Sequence, residues 1–124
     1  MSVPIKIKTF KDLLVWQKSH SIVIDVYKIT REFPKDEVYA LTSQMRRCAV
    51  SITSNIAEGF SRQGTKEKIQ FYFTAKGSLT ELHNQLLIAK DVGYVNKATY
   101  TALDERIIEV GRIFTGLIRS ISSL

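Results

Sequence analysis

Residues 36–59 read DEVYALTSQMRRCAVSITSNIAEG, and the spacing within them decides the fold. Leu41, Met45, Ala49, Ile52 and Ile56 recur every three or four residues, the period that lines one face of an α-helix. Beside that stripe Glu37, Gln44, Ser51 and Glu58 recur every seven residues, with Asn55 one turn beyond Ser51. A seven-residue spacing drifts by only about 20° per repeat, so these residues form a polar row along one helix edge. Arg47 borders the row. The stretch predicts a helix over 36–58, closed by Gly59 as a left-handed cap.

The flanking segments follow the same period. A helix is expected over 12–32 and ends at Phe33-Pro34, because proline disfavours a helical residue before it. After a loop containing Arg62 and Gly64, a third helix is expected over 66–92, closed by Gly93. Asn96 is placed to cap a fourth over 97–122. Residues 1–9 read as a short extended arm. Short connections force neighbouring helices to run antiparallel. The expected fold is therefore all-α: one domain over 1–124, an up-down-up-down four-helix bundle.

The helix faces suggest more than one copy. Helix four has a single clean stripe (Tyr100, Leu103, Ile107, Val110, Phe114, Leu117, Ile118 and Ile121), with charged residues elsewhere. Helix one has Trp16, Val23, Val26 and Tyr27 on one face and Val15, Ile22 and Ile29 on a second. Helix three pairs Phe71, Ala75, Leu79, Leu82 and Leu86 with a second set, Ile69, Phe73, Thr80 and Leu87. Second apolar stripes left in water usually mark contact sites, so homo-oligomerisation is expected.

Composition bounds the function. The 124 residues are 44% hydrophobic and 24% charged, the balance of a globular chain. Lys and Arg exceed Asp and Glu by six, which favours acidic partners, nucleic acid above all. Arg46, Arg47, Arg62, Lys66 and Lys68 gather around helix two and the start of helix three as candidate phosphate contacts. No helix-turn-helix, zinc finger or RNA-recognition signature accompanies them, so recognition through backbone or shape is the form expected. No apolar run reaches the roughly 18 residues of a membrane helix, and no membrane role is expected. The lone Cys48, without a signal peptide, reads as cytoplasmic and as packing rather than nucleophile.

Catalysis has little to work with. His20 and His83 are the only histidines, and Glu81 and His83 stand two apart, not in the Glu-x-x-His spacing of a di-iron bundle. Glu58 and Glu81 could meet across helices, yet two carboxylates alone make no active site. There is no glycine-rich phosphate loop. The sequence predicts a non-enzyme with no metal and no cofactor.

Three ordered motifs, LTSQMRR (41–47), SNIAEGF (54–60) and KGSLTEL (76–82), carry a family resemblance. With FKDLLVWQKSH at 10–20, the chain over about 10–121 resembles the four helix bundle proteins. These are also called 23S rRNA-intervening sequence proteins, because some are encoded in insertions within large-subunit ribosomal RNA genes. The resemblance implies a bacterial source and an up-down bundle assembled into a homopentameric ring. It extends distantly to the accessory protein of diversity-generating retroelements, a basic pentameric barrel that binds nucleic acid and a reverse transcriptase. The motif positions here are Trp16, Gln44, Arg47, Ser51, Asn55, Glu58, Gly59, Gly77, Ser78 and Glu81, with no catalytic role attached. His83 stands where the family commonly has an acidic residue, which reduces the negative charge near Glu81, and Thr53 stands where it often has proline. The expectation is a non-catalytic oligomer that binds RNA or DNA through a basic surface. Its rival is a structural or adaptor ring with a protein partner.

Overall fold

The computed structural model describes residues 6–124 of the chain. The arm expected over 1–9 therefore lies partly outside the described residues; its described part, 6–9, has no helix or strand. Four α-helices follow: α1 (Leu14–Thr30), α2 (Leu41–Ser61), α3 (Thr65–Asp91) and α4 (Lys97–Ser122). Single 3-10 turns at Phe10–Asp12 and Lys35–Glu37 precede α1 and α2. No strand occurs among the described residues.

Each helix packs on its chain neighbours, α1 also packs on α4, and the diagonal pairs keep their backbones apart. The direction of packing is legible in single contacts. Ser51 meets Ser78 while Gly59 lies against Tyr72, so α2 and α3 run antiparallel. Lys76 reaches Thr115 while His83 reaches Asp104, so α3 and α4 do too. Lys18 pairs with Glu109 and Asp25 with Arg106, which sets α1 against α4 in the same sense. The core runs the length of the bundle, from Val26, Met45, Leu86 and Leu103 to Val15, Ile56, Tyr72 and Phe114. Burying each such side chain contributes roughly 1.5–3 kcal/mol, and this apolar seam holds the four helices together.

Three boundaries differ from the sequence reading, each for a local reason. The second helix does not start at 36. Ala40 leaves helical geometry (φ −123°, ψ −108°), so Glu37 sits in the 3-10 turn and the polar row loses its first member. Gly59 does not cap α2; the helix continues to Ser61, and Gly93 is the described residue with positive φ, at 90°. Gly59 is required by proximity instead, since a Cβ there would stand 2.8 Å from Tyr72 Cε1 and 3.0 Å from Phe71 Cβ. The first helix is shorter than 12–32, and Phe33 folds into the core beyond its end. Elsewhere the caps agree: Gly93 closes α3, and Asn96 Oδ1 accepts from Thr99 N at 2.8 Å at the start of α4.

The two apolar faces of α1 are also corrected. Val15 and Ile22 are 2% and 0% exposed, as buried as Val23 and Val26, and Ile29 packs against the same core. The two stripes are one wide face turned inward, because α1 lies in the angle between α2 and α4. On α3 the outcome is different: Phe73, Thr80 and Leu87 face solvent, joined by Ile88 and Val92, while Ile69 is partly covered.

Candidate functional site

The antiparallel pairing of α2 and α3 brings the motif residues together. Gln44, Arg47, Ser51, Ser78 and Glu81, with Cys48 and Gln85, line one open groove of roughly 360 Å³ between the two helices. Its floor is hydrogen-bonded. Ser51 Oγ and Ser78 Oγ are 2.9 Å apart, and Asn55 Nδ2 donates to Ser51 O at 2.8 Å and to Ser51 Oγ at 3.1 Å. Thus Ser51 bridges the helices, while Asn55 bonds within its own helix and braces Ser51. Gln44 is exposed.

Cys48 lies against the groove, 6% exposed, and its thiol donates to Ser78 O at 2.9 Å. Burial, and then the neighbouring Glu81 carboxylate 3.8 Å away, push the thiol up to about 11, so it stays protonated and poorly nucleophilic. Gln85 Oε1 is buried without a partner among the described residues. Sequence reasoning missed Gln85, although it stands four residues beyond Glu81 and so on the same helix face.

Glu58 does not belong to this constellation. It pairs with Arg62 at 3.3 Å, one turn on, and meets neither Arg47 nor Glu81. Residue 48, not 58, lies opposite Glu81, and ten helical residues are about 15 Å.

The five candidate phosphate contacts fall into two groups. Arg46 and Arg47 stand about 22–24 Å along α2 from Arg62, so they do not form one patch with the α2–α3 connection. Arg46 turns towards α1, where its Nε donates to Thr30 Oγ1 at 2.9 Å and its guanidinium lies 4.9 Å from the Tyr27 ring centroid. Arg47 is exposed and borders the polar groove. At the far end Lys68 Nζ donates to Gly59 O and Phe60 O at 3.2 and 2.8 Å, adding to the Arg62 N–H that Gly59 O already accepts at the end of α2. Arg62 is held by Glu58 and lies over Phe71. Lys66 is exposed, with no partner among the described residues.

The histidines are apart. His20 stacks on Trp16 at 4.6 Å, and His83 Nε2 lies 2.5 Å from Asp104 Oδ1 on α4. No group of three or more His, Cys, Asp or Glu among the described residues is arranged to hold a metal ion, and no helix among them is long and apolar enough to cross a membrane.

Comparison with known proteins adds family and fold. The chain is similar to a protein of unknown function from the S23 ribosomal protein family of Bacteroides thetaiotaomicron, solved by crystallography. The TM-score is 0.79 at 18% identity, covering 86% of this chain and 96% of that one. At that identity the likeness carries the fold alone. No curated protein matches the chain. The family model described as 23S rRNA-intervening sequence protein matches residues 11–116, through all four helices and every motif position named above. The chain belongs to the 23S rRNA-intervening sequence protein family.

Proposed function

We propose that the protein is a non-catalytic, ring-forming bundle that binds RNA or DNA by neutralising phosphates. The observation that carries this reading is the imbalance of its surface charge. Of the eighteen Lys and Arg, only Lys18, Arg62, Lys90 and Arg106 pair with a carboxylate among the described residues. Of the others, Lys68 and Lys76 are drawn to oxygens of the bundle itself, while Arg47 and Lys66 are among those that leave unneutralised charge exposed, and a polyanion is the partner such a surface attracts. The protonated thiol of Cys48 and the separated histidines offer no nucleophile–base pair, which supports a binding role over a catalytic one.

Assembly into a ring, five copies by family resemblance, draws support from the exposed apolar residues of α3 and its C-cap: Phe73 (55%), Leu87 (39%), Ile88 (43%) and Val92 (55%). Residues of this kind at helical spacing are sites for another protein surface, and a second copy is always at hand.

Fluorescence anisotropy with single-stranded RNA, duplex RNA and duplex DNA at low salt tests the binding reading, alongside light scattering for the mass. Binding to at least one probe by a species several times 14.1 kDa is expected. An oligomer that binds none would leave an adaptor ring for a protein partner as the better account. A monomer would remove the ring.

A further inference from the structure

Two open grooves meet where the end of α1 faces the start of α2, and they share Val38, Thr42 and Arg46. The first, about 560 Å³, is lined by Tyr27, Tyr39 and Arg47; the second, about 350 Å³, by Arg31, Phe33 and Lys35. We propose that this corner binds an unpaired nucleotide of a single-stranded nucleic acid, with the base stacked on Tyr39 and its phosphate held by Arg31, Lys35 and Arg46. The inference rests on the nucleic-acid reading above and names which form of nucleic acid is taken, and where.

Tyr39 is 95% exposed, so its ring contributes no packing to the fold. A free aromatic face beside arginines is the element that single-strand-binding surfaces use, because every unpaired base has a face to stack on it. Duplexes keep those faces covered by their own stacking. Arg46 is already fixed for such a contact. Its Nε is held by Thr30 Oγ1, whose own proton goes to Val26 O at 2.7 Å, and Tyr27 lies beneath the guanidinium. Its two terminal nitrogens have no partner among the described residues, so two planar-fork donors stand ready with little rotamer freedom left to lose.

The phosphate side has independent support. Thr42 is 5% exposed, lines both grooves, and its hydroxyl has no partner among the described residues. No side chain caps α2, and the N–H groups of Leu41, Thr42 and Ser43 have no acceptor among the described residues, so the positive end of a 21-residue helix is open here. Arg31 and Lys35 are exposed without carboxylate partners. The nearest acidic side chains in sequence, Glu32, Asp36 and Glu37, line neither groove.

The test compares the full chain with Tyr39→Ala, Tyr39→Phe and the pair Arg31→Gln/Lys35→Gln. Each is titrated against labelled single-stranded RNA and DNA 12-mers of one sequence and against the matching duplexes, with the mass followed by light scattering. All the altered residues are exposed, so folding is expected to survive, and circular dichroism checks it. Tyr39→Ala should weaken single-strand binding by roughly five- to a hundredfold, the worth of one stacked base, and leave duplex binding unchanged. Tyr39→Phe should bind as the parent does, and the double variant should weaken binding and flatten its salt dependence. Stronger binding of the RNA 12-mer would identify RNA as the source, equal binding either strand. If Tyr39→Ala binds single strands as tightly as the parent, the corner proposal is overturned while the general nucleic-acid reading stands. Should the same variant instead change the oligomer mass, Tyr39 is a subunit contact and the proposal also falls. If the parent binds none of the four probes, the underlying reading has failed and this inference with it.

Discussion

Gly59 shows how one residue can be required for a reason other than the one its type suggests. In a helix interior, alanine normally gains about 0.5–1 kcal/mol over glycine. Here the added methyl would press on Tyr72, which is itself 2% exposed and has no room to retreat. Gly59→Ala should therefore destabilise the protein, by about 1–3 kcal/mol as overpacking usually does, read as a lower urea midpoint. A midpoint that rises would mean the helices can part without cost. Sequence alone pointed to Gly59 and gave it the wrong job, because a glycine after an apolar stripe looks the same whether it ends a helix or lets another approach. Cys48 carries a second residue-scale expectation. Its folded thiol, raised to about 11 from an ordinary 9.0, holds its proton more tightly than the unfolded chain does. That contribution to stability is complete below pH 9 and is lost as pH rises through 11. Alkylation of the native thiol at pH 8 should run about a hundredfold slower than in urea, the ratio of the two thiolate fractions; equal rates would contradict the buried placement.

At the scale of elements two of the caps and most of the core stripes were legible, while the start of α2 and the fate of the second stripes were not. Asn96 and Gly93 act through local backbone chemistry, which sequence records directly. Ala40, which breaks the chain before α2, carries no such mark, so the start of that helix was misplaced by five residues. The heptad row nevertheless brought Gln44 and Ser51, with the bordering Arg47, to one groove, because spacing fixes a helix face whatever the ends do. What the spacing could not supply was the partner helix, and hence that Asn55 braces Ser51 while Glu58 lies far from Glu81. Nor could it show that both α1 stripes face inward. The outer face of α3 makes its own prediction at this scale, because Gly77 stands about 40° from Phe73 and about 60° from Thr80 by helical geometry. No neighbour lies within 4 Å of a Cβ built at Gly77 or at Gly116. In an isolated bundle both alanine substitutions should stabilise by about 0.5–1 kcal/mol. If α3 seats another copy, Gly116→Ala keeps that gain, whereas Gly77→Ala should lower the mass seen by light scattering at micromolar concentration. Identical behaviour of the two variants, with no change in mass, would remove α3 from the subunit contact.

For the whole molecule, net charge was legible from composition, but its distribution was not. The sequence grouped Arg46, Arg47, Arg62, Lys66 and Lys68; the fold separates them and gives Lys68 a helix end to close. It also gathers Arg31, Lys35 and Tyr39, from a connection with no motif, beside Arg46. Six net positive charges per chain would become about thirty in the proposed ring of five, and such a ring should draw in a polyanion at long range and hold it without regard to sequence. The most direct measurement is the affinity for a single-stranded 12-mer as a function of salt. Each phosphate neutralised on a single strand contributes about −0.7, so a strand that meets the protein's unpaired cations at three phosphates predicts that log K falls against log salt with a slope of roughly −2. A slope near zero, or no binding at about 50 mM salt, where such contacts are strong, would contradict the claim that this protein works by neutralising phosphates.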